Sequence, residues 1–250
     1  MFSQILLLEF STTQLLLTAL VFAWSGFVRS GLGFGGAALG LPLMLFIYDQ
    51  PLFWLPVIGT HLLIFTGWTL RKRLKNVDWG YLKKSSVYIL PAKLVGVFGL
   101  LNLPNNWLII MIYSITMLYA VLWLLNLSIQ SENGWTDKIL LVLGGYVSGN
   151  SLTGAPLIVA VFMHKVNKTR LRDTLFVLWF ILVTVKMSTF LAFGVELHTA
   201  SALLLVPVAG IGHVIGLRTH DYMMQNDALF KRIIGGVLLV ICGIGFSSLL

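Results

Sequence analysis

The chain has 250 residues, of which 58% are hydrophobic and only 10% charged, and its mean hydropathy is +0.91. A soluble domain normally carries about a quarter charged residues, so this composition excludes a water-soluble globular protein. The net charge is +8, but 14 of the 17 Lys and Arg residues lie in three stretches: 71–84, 138–172 and 218–232. This clustering is typical of the cytoplasmic loops of a membrane protein and argues against a nucleic-acid-binding surface.

The chain has a single cysteine, Cys242. One cysteine excludes an intrachain disulfide and a multi-cysteine metal site, so we expect neither a resident metal nor a cofactor. The first ten residues, MFSQILLLEF, lack the basic region of a signal peptide. We therefore expect them to belong to the mature protein.

Apolar segments separated by short polar breaks predict ten helical elements in two sets of five. A membrane-spanning helix needs about 20 apolar residues. The first set covers 12–30, 32–48, 51–70, 84–102 and 105–127, and the second covers 138–148, 153–164, 173–193, 199–217 and 230–249. The sequence therefore predicts an all-α membrane protein with one transmembrane domain. Residues 1–130 form its first repeat and residues 131–250 its second.

The opening pair of each set is unusually short. Only 25 residues lie between Lys138 and His164, and GGYVSGNSLTGAP interrupts them. Two membrane crossings need about 40 residues. The spacing therefore predicts re-entrant or half-length helices joined by a Gly-rich break. Such a break is tolerated only where its backbone lines protein or a wet cavity.

This pairing places all the basic stretches on one side of the membrane. The opposite side receives the segments around Glu9, Asp49, 102–106, Glu196 and the C-terminus, which contain no Lys or Arg. The positive-inside rule makes the basic side cytoplasmic. We therefore expect a multi-pass protein of a bacterial-type inner (plasma) membrane, with both termini outside.

Because each set has five elements, the second set is predicted to be inverted relative to the first. Small residues and prolines recur at matching positions in the two sets. Gly26, Ser30, Gly31 and Gly36 match Gly144, Ser148, Gly149 and Gly154 at a spacing of 118 residues, and Pro91 and Gly96 match Pro207 and Gly212 at a spacing of 116. Inverted repeats with broken helices are typical of secondary transporters that bind their substrate near the membrane midplane.

The two Gly-rich stretches are the candidate anion site. Glycines let backbone amides approach a ligand closely, and a helix that begins after them directs its N-terminus at an anion. The first stretch supplies Arg29, Ser30, Gly31, Gly33, Gly35 and Gly36, and the second supplies Ser148, Asn150, Ser151 and Thr153. The alternatives are that the glycines only allow close helix packing and that the arginine extends to the membrane surface.

Four other ionisable residues lie inside predicted spans, where charged groups mark substrate pathways. Lys93 and Lys186 are predicted to contact the anion; the alternative is a structural role on backbone carbonyls of broken helices. His61 and His213 can titrate near neutral pH. They are candidates for proton coupling, and the alternative is an interhelical hydrogen bond. We expect the remaining histidines at the surface: His164, His198 and His220.

The stretch SGFVRSGLGFGGAALGLPLMLF resembles the signature of the TauE/SafE sulfite exporter family, also called the sulfonate uptake permease family. Further pieces agree in order: HLLIFTGWTLRKRLKNVDW, ILPAKLVGVFG, GGYVSGNSLTGAP and VPVAGIGHVIGLR. The resemblance spans essentially the whole chain and implies a membrane transporter for sulfite, sulfonates and related small anions. The chain departs from the family pattern at Lys93, Lys186 and His213, and at the short GAP run of 154–156.

The sequence thus predicts a secondary transporter, not an enzyme, for a small inorganic or organic anion such as sulfite or an organosulfonate. Proton coupling and a homo-oligomer are left open, as is binding of anionic membrane lipids by the basic loop 71–84. One alternative is a passive anion channel. Another is an intramembrane enzyme with His61 or His213 as base, which is disfavoured because no acidic partner or adjacent nucleophile accompanies either histidine.

Overall fold

The computed structural model describes residues 6–32, 36–71, 73–127, 129, 131, 133–225 and 227–247. Within these ranges the chain is helical, without strands, and the predicted all-α class is confirmed. The helices are α1 (Thr12–Leu32), α2 (Gly36–Ile47), α3 (Pro51–Leu70), α4 (Trp79–Asn102), α5 (Asn105–Leu124), α6 (Gly134–Ser151), α7 (Ala155–Lys165), α8 (Lys168–Ala192), α9 (Thr199–Gln225) and α10 (Asp227–Ser247). Short 3₁₀ turns cover Leu6–Glu9 and Leu74–Asn76.

Six helices of the described chain are long and apolar enough to cross a membrane: α3, α4, α5, α8, α9 and α10. The second helix of each opening pair is short, as predicted, with 12 residues in α2 and 11 in α7. The first helix is longer than predicted, with 21 residues in α1 and 18 in α6. The predicted range 138–148 is therefore too short for α6, which begins at Gly134 and continues through Gly149 to Ser151.

The ends of α6 explain its length. The side chain of Asn133 accepts hydrogen bonds from the amides of Trp135 and Thr136 and so begins the helix. Leu152 ends it in a left-handed conformation, with φ 61°. Gly144 and Gly145 lie inside this helix, and a Cβ there would lie 2.6 Å from the Ile158 side chain and 2.5 Å from the Ile89 carbonyl oxygen, respectively.

Each opening pair forms a hairpin whose two outer ends lie together. At the first hairpin, Gln14 Nε2 of α1 donates to the carbonyl of Ile47 at the end of α2, over 3.0 Å. At the second, Lys165 at the end of α7 pairs with Asp137 at the start of α6, also at 3.0 Å. A helix pair that begins and ends at the same place has the geometry that a re-entrant segment requires.

The helices assemble into two compact units, and each unit draws on both halves of the sequence. One unit comprises 1–58, 104–127 and 197–250, and the other comprises 59–103 and 128–196. The first unit therefore holds the α1–α2 hairpin with α5, α9 and α10. The second holds the α6–α7 hairpin with α4, α8 and the second part of α3.

In the first unit, the backbones of α1 and α9 are in direct contact. A Cβ added to Gly212 would lie 1.8 Å from the Ala23 carbonyl oxygen, and one added to Gly216 would lie 2.3 Å from that of Phe27. Only glycine fits such a contact. Because both residue numbers rise together along the contact, the two helices run parallel.

In the second unit, α6 packs against α4 in the same way. A Cβ on Gly145 would lie 2.5 Å from the Ile89 carbonyl oxygen, and one on Gly149 would lie 2.4 Å from that of Lys93. These helices also run parallel. In each unit, then, the first helix of one half packs beside the fourth helix of the other half. An inverted repeat predicts this correspondence, and the repeat itself stays a prediction.

Candidate functional site

The last turn of α6 is the centre of the candidate site. A helix end leaves its final carbonyls without partners inside the helix. Here the amide of Leu152 donates to the Ser148 carbonyl. The absence of a side chain at Gly149 lets α4 lie directly against this turn.

Two lysines from neighbouring helices donate to this turn. Lys93 of α4 donates to both the carbonyl oxygen and Oγ of Ser148, each over 3.1 Å. Lys186 of α8 donates to the carbonyl oxygens of Gly149 and Asn150 at 2.7 and 3.2 Å. Their exposed fractions are only 0% and 1%. Because the three carbonyls are consecutive, both ammonium groups lie at one helix turn.

Among the described residues, no acidic side chain pairs with either lysine. The ion pairs found within the described residues join Arg73 to Asp173 and Lys165 to Asp137, and neither involves the two buried lysines. Lys93 and Lys186 instead donate to uncharged carbonyl and hydroxyl oxygens. The end of a helix carries roughly half a negative charge, which offsets only part of two ammonium groups.

Three further polar residues line or follow the same turn, and all are fully buried: Asn150, Ser151 and Thr153. Ser151 Oγ donates to the Val147 carbonyl at 3.1 Å, so the hydroxyl of Thr153 is the donor in its 2.5 Å contact with Ser151. The side-chain amide of Asn150 has no hydrogen-bond partner on either atom within the described part of the chain. Its Oδ1 lies 3.6 Å from the position that a Cβ on Gly99 would occupy, so the side chain faces α4.

The first unit holds a related arrangement at the end of α1. Ser30 Oγ donates to the Gly26 carbonyl at 2.9 Å and contacts Nδ1 of His213 from α9. His220, also from α9, donates through Nδ1 to the Gly31 carbonyl at 2.6 Å. Basic side chains thus bond to the final turn of the first helix in both hairpins.

His220 is half-buried and hydrogen-bonded, because α9 extends to Gln225, past its predicted end at 217. His213 makes the interhelical contact that was the alternative to proton coupling. His61 is buried in α3, and its ring lies nearly perpendicular to that of Phe65. His164 is exposed, and His198 is half-buried against Phe53.

The first Gly-rich stretch is only partly described, since Gly33 and Gly35 lie outside the described residues. Gly36 begins α2 so close to α1 that a Cβ there would lie 2.9 Å from Arg29 Cβ and 2.9 Å from the Ser25 carbonyl oxygen. Ser25 Oγ donates to the Gly36 carbonyl at 2.9 Å. Sequence reasoning assigned Ser25 no role, and its only signal is its place at the start of this stretch. Gly36 makes the close packing that was the alternative to ligand binding, and its role in the anion site stays a prediction.

The candidate residues therefore fall into two groups. The second unit brings together Lys93, Ser148, Asn150, Ser151, Thr153 and Lys186. Arg29, Ser30, Gly31, Gly36 and His213 belong to the first unit. The lysines make the backbone contacts of the structural alternative, so their role as anion ligands stays a prediction.

Comparison with known proteins gives one match. A family model described as Sulfite exporter TauE/SafE matches residues 17–244. No curated protein and no solved structure matches the chain. The matched range contains the second hairpin, all but the first five residues of the first hairpin, and every candidate residue.

Proposed function

Because the chain belongs to the TauE/SafE sulfite exporter family of membrane transporters, we propose that it is a secondary transporter of a small anion. Its cargo is a sulfur-containing oxyanion such as sulfite or an organosulfonate. The α6 end is the binding site, with Lys93 and Lys186 as the charged ligands.

One observation carries this proposal: two buried ammonium groups converge on a single helix turn and donate only to uncharged oxygens. Each ammonium has three N–H donors, and two are already used. One N–H on each lysine is therefore not used by these bonds and can bind an anion; Nζ of Lys186 also lies 5.4 Å from the centroid of the Phe190 ring. A hydrogen bond to a charged group contributes about 1.5–3 kcal/mol, and an oxyanion accepts from both lysines at once.

Anion binding at this turn also suggests how substrate binding is coupled to a conformational change. The carbonyls of α6 and an incoming anion compete for the same two ammonium groups. An anion that draws Lys93 and Lys186 towards itself weakens their hold on α6, and so loosens the contacts that join α6 to α4 and α8. Secondary transporters of this architecture alternate access around a fixed midplane site.

Proton coupling is the remaining part of the proposal. His213 and His61 are the candidates, since imidazole titrates near neutral pH. The contact between His213 and Ser30 places one of them at the end of α1, the counterpart of the α6 end in the other hairpin. Proton-coupled uptake is expected to depend on a pH gradient and to lose that dependence in His213→Gln.

The proposed location is a bacterial-type inner membrane with the basic loops in the cytoplasm. Two exposed tryptophans in the second unit support a membrane interface near these loops. Arg71 lies over the ring of Trp68 at 5.7 Å, and Lys138 lies over that of Trp135 at 5.0 Å. Tryptophan beside a basic residue is typical of the level of lipid headgroups.

The test is uptake of labelled sulfite, thiosulfate, organosulfonates and small carboxylates by proteoliposomes, with and without a pH gradient. The site variants are Lys93→Met and Lys186→Met. Each has a matched control on its own helix, namely the exposed Lys83→Met on α4 and Lys168→Met on α8. The proposal expects saturable uptake of a sulfur oxyanion that each site variant reduces at least about tenfold and both controls preserve. Wild-type KM in both site variants contradicts it.

A further inference from the structure

The side-chain amide of Asn150 has a property that the two lysines do not share. It is fully buried, and neither its nitrogen nor its oxygen has a hydrogen-bond partner among the described residues. Buried polar groups are nearly always hydrogen-bonded, because an unsatisfied one carries its full desolvation cost. A primary amide needs both an acceptor for its N–H groups and a donor for its oxygen.

Among the described residues, no neighbouring group donates a hydrogen bond to the side-chain oxygen of Asn150. The hydroxyl protons of Ser151 and Thr153 are used within their own turn. Lys186 bonds to the backbone carbonyl of Asn150, not to its side chain. On the facing helix, Gly99 brings no side chain towards the amide. A ligand at this turn therefore meets donors on the lysines and a combined donor and acceptor on Asn150.

We propose that the site selects monoanions that keep an O–H beside their charged oxygens, of the form X(=O)–OH, over anions of the same charge that only accept hydrogen bonds. This inference rests on the proposed anion site at the end of α6. The Asn150 nitrogen donates to one oxygen of the ligand, and the ligand O–H donates back to the amide oxygen. The lysines bind the remaining charged oxygen.

The selectivity follows from the unsatisfied oxygen. Hydrogen sulfite belongs to the selected class, whereas an alkylsulfonate without a further O–H or N–H does not. A ligand that only accepts leaves the Asn150 oxygen buried without a donor. Sites built around such a hydrogen bond discriminate strongly against analogues that lack it. Swapping the nitrogen and oxygen of the amide does not alter this conclusion, since either orientation presents one donor and one acceptor.

The test compares two anions of nearly equal shape and charge. At mildly acidic pH, methylphosphonate is a monoanion that keeps one P–O–H, whereas methanesulfonate has none. Each competes with uptake of labelled sulfite by proteoliposomes that contain the full chain. We expect the inhibition constant of methylphosphonate to be lower than that of methanesulfonate by at least about tenfold.

Variants of Asn150 test whether this residue causes the preference for methylphosphonate. Asn150→Leu replaces the amide with an apolar group of similar size, and Asn150→Ala serves if the leucine variant does not fold. Either variant is expected to bring the ratio of the two inhibition constants to about one. The matched control is Asn102→Leu at the exposed end of α4, which should keep the wild-type ratio.

The outcomes separate this inference from the proposed function. If sulfite is taken up in a lysine-dependent way but the two competitors act equally, or neither competes, the inference is overturned and the anion site stands. An internal water that satisfies the amide gives this result. A preference that survives in both Asn150 variants also overturns the inference. If wild-type protein takes up no sulfite, or Lys93→Met and Lys186→Met both take it up as well as wild type, the proposed function fails.

Discussion

Lys93 and Lys186 each place a buried ammonium group on the end of α6. This contact stabilises a helix end, since cations there interact with the final carbonyls. A structural role and a ligand role are therefore compatible in the same side chain. The two roles make different predictions for an added anion. Only a lysine that binds the anion is needed for the anion to stabilise the protein.

Thermal unfolding with and without sulfite separates the two roles for Lys186. We expect Lys186→Met to unfold at lower temperature than wild type, because two carbonyls lose their donor. We also expect it to lose the stabilisation that sulfite gives the wild-type protein. A purely structural lysine predicts the first effect without the second. The exposed Lys168→Met on the same helix should show neither.

Arg29 lies in the last turn of α1 and tests whether the first unit contributes to binding. If its guanidinium pairs with the anion, Arg29→Lys keeps the charge but loses the planar pair of donors, which weakens binding. Arg29→Gln should weaken affinity about ten- to a hundredfold. Affinity measured in detergent, beside the melting temperature, gives the answer. Wild-type affinity in Arg29→Gln removes this residue from the site.

The sequence was sufficient to nominate the residues of the α6 end but not to pair them. A binding site for a polar ligand is indicated wherever Ser, Asn and Thr lie within a Gly-rich break or lysines lie in apolar spans. Nothing in the sequence assigns Lys93 to Ser148, or Lys186 to Gly149, because these contacts depend on the order in which helices pack. The unpartnered amide of Asn150 is likewise a property of the fold.

At the level of elements, the hairpins depend on where α6 stops. Leu152 takes the left-handed conformation there, which costs a residue with a side chain roughly 1–2 kcal/mol. Sequence reasoning placed the end at 148 because it took the glycines as the break. A leucine gives no signal for a left-handed cap, whereas Gly and Asn do. The three residues 152–154 then reverse the chain into α7.

The glycine contacts between parallel helices give a prediction at this scale. Gly149→Ala and Gly212→Ala each place a methyl group within 2.4 Å of a backbone oxygen of the facing helix. We expect each to lower the free energy of unfolding by about 1–3 kcal/mol, the usual cost of overpacking. Gly236→Ala in α10 is the control, since its nearest neighbour is 4.0 Å away. Equal stability of all three variants would contradict the close packing.

For the whole molecule, the two compact units do not coincide with the two halves of the sequence. Segment length was enough to predict the ten helices of the described residues and the short second helix of each opening pair, because membrane thickness limits helix length. It was not enough to predict that α1 packs with α9 and α6 with α4. Those pairs depend on glycine faces in segments far apart in sequence.

Sidedness can be tested by cysteine labelling in the native chain, whose own Cys242 is buried. Cysteines in place of Asn106 and Glu196, both exposed, should react with an impermeant reagent added outside the cell. Those in place of Lys75 and Lys168 should react only after the membrane is opened. This pattern follows if basic loops lie in the cytoplasm. Outside labelling at Lys168 would contradict the re-entrant hairpin of α6 and α7.

If the anion binds at the end of α6, a crystal structure with a bound anion will show it at that position. Selenite is an oxyanion analogue of sulfite whose selenium scatters anomalously. In crystals of the wild-type protein grown with selenite, the account predicts an anomalous peak within about 4 Å of Nζ of both Lys93 and Lys186, since each donates to a selenite oxygen. The peak should be absent in Lys186→Met. An ordered selenite elsewhere in the membrane domain, with the α6 end empty, would contradict the account.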